Sequence, residues 1–372
     1  MSCHSNVGPR MQTRIQKQDR PGNCKAMADR LDDNPTGQND QRIVALRHGT
    51  EGMTLATHWR DYIQLLRPAQ WVKNVVVLAA PAAGLKLITW EGFGHAAAAF
   101  VALCLAAAGG YAINDAIDRR ADALHPTKRF RPVARGSIGA TTAIGIGLFF
   151  LSAALTLSTL ACGAAVAAVV GTYFALTMAY SLVLKRWILV DVIAISIGFV
   201  LRAWAGALAV GVAASAWLVA CVFTLCLFLG FGKRRCELAM MGGPNDAGRH
   251  RRTLVHYTPD LLNHLITVSA GIAVMTFLLY TMDPARTLSP FPKEQLFFTL
   301  PIVVYGIFRF AMVTELGLYS GPTEIVLKDK PMLIAILFWA AAALAIAYQT
   351  RIVGPEGWSG WLHTLRRTYL TT

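Results

Sequence analysis

Residues 95–136 read HAAAAFVALCLAAAGGYAINDAIDRRADALHPTKRFRPVARG, and the change of character inside that stretch decides the fold. Residues 95–113 hold no Asp, Glu, Lys or Arg. A run so apolar, close to the length that crosses a bilayer as a helix, reads as a membrane span. The charged residues begin at once behind it. If the helix runs on at 100° per residue, Asp115, Asp118 and Asp122 fall within an arc of about 60°, one turn apart on a single face.

The rest of the chain repeats the apolar theme. Of its 372 residues 55% are apolar and only 15% charged, with a formal charge of +14. Soluble domains are nearer a quarter charged, so a soluble enzyme is excluded. The basic residues lie in short clusters between apolar runs, not spread over a polar surface. That excludes nucleic acid as a partner and suits a membrane protein carrying its charge on the cytosolic side. The seven cysteines show no metal-binding spacing and read as small core residues.

At about 20 residues per crossing, the sequence predicts an all-α, polytopic membrane protein with about nine spans, near 74–90, 95–113, 138–158, 161–183, 188–209, 213–231, 261–281, 296–314 and 331–349. The first is interrupted by Pro81, Gly84 and Lys86. Before it, Trp59–Lys73 reads as an amphipathic helix at the interface. Residues 1–57 are too polar to form a core and are expected to be a disordered cytosolic tail, leaving 58–350 as the catalytic membrane domain and 351–372 as a second tail. Lys and Arg crowd the 114–136, 184–187 and 232–260 connections and are absent from those near 159 and 210–212. By the positive-inside rule the N-terminus is cytosolic and the C-terminus outside.

Three carboxylates on one stripe repel one another unless a hard cation bridges them, and Mg²⁺ is commonly held by one or two carboxylates plus substrate phosphates. Asn114 lies one turn from Asp118. Beyond the acidic face come Lys128, Arg129, Arg131 and Arg135 in a loop shaped by Pro126, Pro132 and Gly136. Metal-binding acids beside phosphate-seeking cations are what a magnesium diphosphate requires. His125 reads as a hydrogen-bonder within that loop. Since this chemistry gathers in cytosolic loops and not at mid-depth on paired broken helices, an enzyme is favoured over a transporter.

NDAIDRRAD resembles the first aspartate-rich motif of the UbiA superfamily of intramembrane prenyltransferases. HPTKRFRPVARG, LKRWILVDVIAISIGFVLRAWAG (184–206), GKRRCEL (232–238) and GPTEIVLKDKPML (321–333) are similar to one branch, the decaprenyl-phosphate 5-phosphoribosyltransferases. The resemblance covers roughly residues 60–350. It implies a UbiA-type bundle around a cavity open to cytosol and lipid, in a bacterial cytoplasmic membrane. The implied reaction moves 5-phosphoribose from phosphoribosyl diphosphate (PRPP) to a polyprenyl phosphate, with Mg²⁺ on Asp115, Asp118 and Asp122. Typical members carry a second aspartate motif where this chain has GKRRCEL. Lys233 and Arg234 there, with Glu237 as the remaining acid, suit a donor bearing an additional phosphate. The alternative is a prenyl transfer from prenyl diphosphate to an aromatic acceptor.

Lys185 closes a span and is within reach of phosphate or serves as an anchor. Asp191 and Arg202 stand eleven residues apart and share a face to within about 20°, which reads as a second polar pair. Arg202 lies deep in an apolar run, where a charge costs at least ~2.5 kcal/mol and marks a functional interior by default. Membrane lipids are partners throughout, and a homo-oligomer is compatible with the sequence.

Overall fold

The computed structural model describes residues 54–125, 127–240, 256–283 and 293–352, and within them it consists of helices and their connections. The described residues from His58 onward belong to one unit. The expected tails lie outside the described residues, except that α1 (Thr54–Leu66) starts inside the first and the last helix, Lys330–Ile352, ends inside the second. Arg249, Arg251 and Arg252 also lie outside them.

The interfacial helix expected over 59–73 ends earlier, as α1. Pro68 has no N–H to continue it, and Arg67 turns the chain at φ 51°. Beyond that turn the chain departs from a regular span. Pro68–Leu78 is a 3-10 segment, α2 (Ala79–Ala83) is a single turn around Pro81, and Lys86–Ile88 is another 3-10 turn after Leu85 at φ 56°. Contacts nevertheless trace a full crossing beside α3 (Trp90–Ala123): Arg67 bonds Asp115, Asn74 bonds Cys104, and Thr89 accepts from Gly92 N at the far end. From Thr89 to Asp115 a helix rises about 39 Å at 1.5 Å per residue, enough to traverse a membrane.

Among the described residues, eight helices are long and apolar enough to span by themselves. They are α3, α4 (Ala140–Cys162), α5 (Ala164–Leu182), α6 (Val190–Ala209), α7 (Ala216–Ala239), α8 (Pro259–Met282), α9 (Leu300–Glu315, prolonged backwards by 3-10 turns from Lys293) and α11 (Lys330–Ile352); α10 (Pro322–Lys328) is short. Among the described residues these eight and the broken crossing before them stand where the sequence predicts about nine spans.

Small residues draw the helices together, as they do where lipid offers no hydrophobic drive. A Cβ on Gly109 of α3 would stand 2.7 Å from the Gly147 carbonyl of α4. The closest approach is at Gly206 of α6, where a Cβ would fall 1.8 Å from the Val77 carbonyl. Only glycine lets the broken crossing lie on α6. One buried cluster (Leu103, Val170, Leu201, Ala205) joins α3, α5 and α6. Another centres on Phe228 and Phe310, whose rings stand 5.0 Å apart, and joins α7 to α8 and α9. Leu160, Phe149 and Phe308 are left exposed, as suits a lipid-facing surface.

Candidate active site

Helix α3 continues straight from its apolar part to Ala123, so the acidic stripe is helical as its spacing predicts. Each carboxylate meets a cation. Asp115, almost fully buried, accepts from Arg67 Nη2 at 2.5 Å and from Arg131 Nη1 at 3.1 Å. The same Arg131 nitrogen reaches Asp122 Oδ2 at 2.6 Å, bridging the two acids. Asp118 turns aside to Lys185, whose Nζ bonds both of its oxygens at 2.9 and 2.7 Å. Arg67 also stacks over the Tyr111 ring at 5.0 Å. Asn114 is half-buried on the same helix.

The loop after α3 is held by its own hydrogen bonds. His125 Nδ1 accepts from the backbone N–H groups of Thr127 and Lys128 at 3.2 and 3.3 Å. Lys128 is half-buried, whereas Arg129 is exposed and stacks on Phe130 at 4.8 Å. Arg135 points away from the stripe, to Asp61 of α1 and to Ser137 Oγ. Arg131 is the loop cation seen to bond the acidic face.

GKRRCEL is helical as well, because α7 runs to Ala239 and does not stop near 231. Its two expected phosphate ligands part company. Arg234 is fully buried, with Nε 3.0 Å from Asp191 Oδ2 and Nη1 on Glu237. Lys233 is 46% exposed and only loosely drawn to Glu237 at 3.7 Å. Tyr257 donates to Asp191 at 3.1 Å and accepts from Leu189 N at 2.9 Å. Burial, then the Asp191 charge, pushes the Tyr257 phenol up to about 12, which keeps it a donor.

The expected pairing of Asp191 with Arg202 is therefore corrected. A shared helix face does not bring them together, since eleven residues at 1.5 Å put them about 17 Å apart along α6. Asp191 binds Arg234 at one end. Arg202, deep in the bundle, donates from Nε to Asn74 Oδ1 at 2.7 Å and from Nη2 to Tyr173 Oη at 2.8 Å, with its carbon 4.5 and 4.7 Å from the Tyr173 and Phe199 ring centres. Asn74 in turn donates to Cys104 Sγ at 3.2 Å.

Sequence reasoning missed Arg67, Lys73, Asn74 and Tyr173. The available signal was RPAQWVKN at 67–74, a polar cluster set directly against an apolar run, but its cations read as interface anchors. Lys73 is half-buried.

Among the described residues no three His, Cys, Asp or Glu side chains gather into a metal cage. Carboxylate oxygens are nevertheless the hard ligands that Mg²⁺ takes jointly with substrate phosphates.

A bundle of apolar helices whose charged groups converge on one helix end and on its interior, and not on the lipid face, is a multi-pass membrane protein built around a polar site. The chain belongs to the UbiA prenyltransferase family, whose model matches residues 75–320. A decaprenyl-phosphate phosphoribosyltransferase of Corynebacterium glutamicum is 35% identical over 289 residues, covering 77% of this chain and 86% of that protein. One from Mycolicibacterium smegmatis is 34% identical over 295 residues, covering 77% and 92%. Among solved structures, a UbiA homolog from Archaeoglobus fulgidus bound to GPP and Mg²⁺ matches with a TM-score of 0.60 at 18% identity, over 77% of this chain and 99% of that one. That last likeness is one of fold.

Proposed function

We propose that this chain transfers 5-phosphoribose from PRPP to a polyprenyl phosphate of the decaprenyl type, releasing diphosphate, in a bacterial cytoplasmic membrane with its N-terminus in the cytosol. The product is a precursor of lipid-linked arabinose donors. Residues 58–350 carry the activity, with cytosolic residues 1–57 and the segment 351–372 as tails. The single observation that carries the reading is the acidic stripe of α3 interlocked with Arg67, Arg131 and Lys185. Its relatives' names speak of decaprenyl phosphate and of a phosphoribosyl group, and PRPP as the donor is part of this proposal.

A phosphate oxygen of the lipid attacks the anomeric carbon of the ribose. The bond from that carbon to the diphosphate breaks, and its electron pair leaves with the diphosphate. A phosphate monoester is already an anionic nucleophile, so no strong protein base is needed. Bound to Asp115 and Asp118, with Asp122 beside them, Mg²⁺ would supply charge neutralisation on the diphosphate. Arg131 and Lys185, now on carboxylates, have the charge to grip the departing oxygens, with Lys128 beside them, and such preorganised donors act where the charge develops. Asn114 orients a carboxylate or bonds a phosphate oxygen. Lys233, loosely held and exposed, faces the donor's 5-phosphate. Arg234 and Asp191 hold α7 to α6 and support Glu237.

The test is incubation of membranes containing the protein with labelled PRPP and a polyprenyl phosphate, followed by lipid extraction. Label in the organic phase is the expected result. No label there, with prenyl diphosphate consumed against an aromatic acceptor instead, would overturn it.

A further inference from the structure

The turn that carries Lys185 to the acidic stripe is short and bonded along its length. Arg186 N donates to Val183 O at 3.0 Å, Trp187 N to Leu184 O at 3.1 Å, Val190 N to Ile188 O at 2.7 Å and Asp191 N to Trp187 O at 3.1 Å. Lys185 sits in its first part, the 3-10 turn Leu184–Arg186, with Nζ on both oxygens of Asp118. Leu189 stands at its far end, directly before α6, with its backbone at φ 65° and ψ −45°. A leucine at positive φ is strained, and such a residue persists only where its surroundings hold it.

Side-chain packing does not hold this one. Leu189 is exposed, as is Trp187 two residues before it. What meets the Leu189 backbone is a side chain from another element: its N–H donates to Tyr257 Oη at 2.9 Å, while its carbonyl accepts from Val192 N and Ile193 N and so starts α6. The Tyr257 hydroxyl is itself fixed. Its proton goes to Asp191 Oδ1 at 3.1 Å, and Asp191 is held from its other oxygen by Arg234 Nε at 3.0 Å. A hydroxyl whose proton is committed to a carboxylate turns its lone pairs to a second donor and becomes the better acceptor. Tyr257, Asp191 and Arg234 are all buried, and the Tyr257 ring packs in the same cluster as Phe228 and Phe310.

We propose that Tyr257 is a positioning residue: its hydroxyl fixes the strained Leu189 turn and through it holds Lys185 against Asp118. A residue placed just before α8 thereby acts on the acidic end of α3 by way of the turn into α6. Shut between Asp191 and the Leu189 amide, the hydroxyl takes no part in binding substrate and acts only through Lys185. The hold on Lys185 stands on the geometry alone, whereas its consequence for turnover rests on the transfer reading.

The experiment acetylates lysines of the purified full-length protein with an amine-reactive ester and reads each site by mass spectrometry. Tyr257→Phe keeps the ring and removes only the hydroxyl. It is expected to raise the acetylation rate of Lys185 about three- to tenfold, toward the rate found in Asp118→Asn, because local opening frees the ammonium. Lys328, exposed on α10, is the internal reference and should not change. Ribose transfer from PRPP should fall about ten- to a hundredfold in Tyr257→Phe, as it does when a site group is slightly misplaced. In a Lys185→Ala background the same substitution should cost less than about twofold more, since residues that act through one contact are not additive. Unchanged acetylation of Lys185 in Tyr257→Phe overturns the proposal, and so does a loss of transfer fully additive with that of Lys185→Ala. If Tyr257→Phe does not fold, the wild-type protein decides: its Leu189 amide should be protected from hydrogen exchange, and free exchange there overturns the proposal. Acetylation that rises as expected in a protein unable to transfer ribose would refute the transfer reading and leave the Tyr257 hold on Lys185 standing.

Discussion

Arg67 Nη2 lies 2.5 Å from Asp115 Oδ1, which ties the first residue of an irregular crossing to the most buried acid of the stripe. Arg67 achieves this from a left-handed backbone, at φ 51°, and with its guanidinium over Tyr111. The carboxylates of α3 thus meet the protein's own cations, and on the proposed reading a magnesium diphosphate would exchange one set of ion pairs for another. Such an exchange would keep the charge of the site balanced before and after binding, which limits the desolvation cost in a low-dielectric interior.

Asp118→Asn should lower the transfer rate by about 10² to 10³, the usual loss when one electrostatic contact to developing charge is removed. Asp118 is partly exposed and bonds Lys185 alone, so the fold should persist with little change in melting temperature. Full activity in the purified variant would remove Asp118 from the site.

The acidic stripe was legible because three aspartates at helical spacing keep their meaning whether or not the helix is seen, and α3 needed only to continue. The broken crossing was less so. Hydropathy reports that residues 74–90 are greasy, but not that Pro81 and Gly84 split them into 3-10 and α turns. The partners of Asp191 and Arg202 were illegible, because helical spacing says which residues share a face and nothing of what the next helix presents. Asn74 and Arg234 arrive from elements far away in sequence.

Removing divalent cations with excess EDTA should stop ribosyl transfer, and added Mg²⁺ should restore it. Carboxylates arranged without a third ligand in one cage hold the ion only jointly with substrate phosphates, so exchange should be fast and rescue immediate. Rates that are indifferent to chelation would point to Arg131 and Lys185 neutralising the diphosphate unaided.

Arg234→Ala should destabilise the protein by about 3–5 kcal/mol, since it leaves Asp191 buried without its cation. Combining it with Asp191→Asn should recover part of that loss, because residues in contact are not additive. Denaturation of the two single variants and the double variant checks this. A stable Arg234→Ala protein with a raised KM for PRPP would instead return Arg234 to phosphate binding.

Lys233→Ala should raise KM for PRPP by about three- to tenfold and leave that for the lipid nearly unchanged. Its side chain is exposed and its tie to Glu237 is long at 3.7 Å, so little folding energy depends on it. The opposite split between the two substrates would relocate the donor's 5-phosphate.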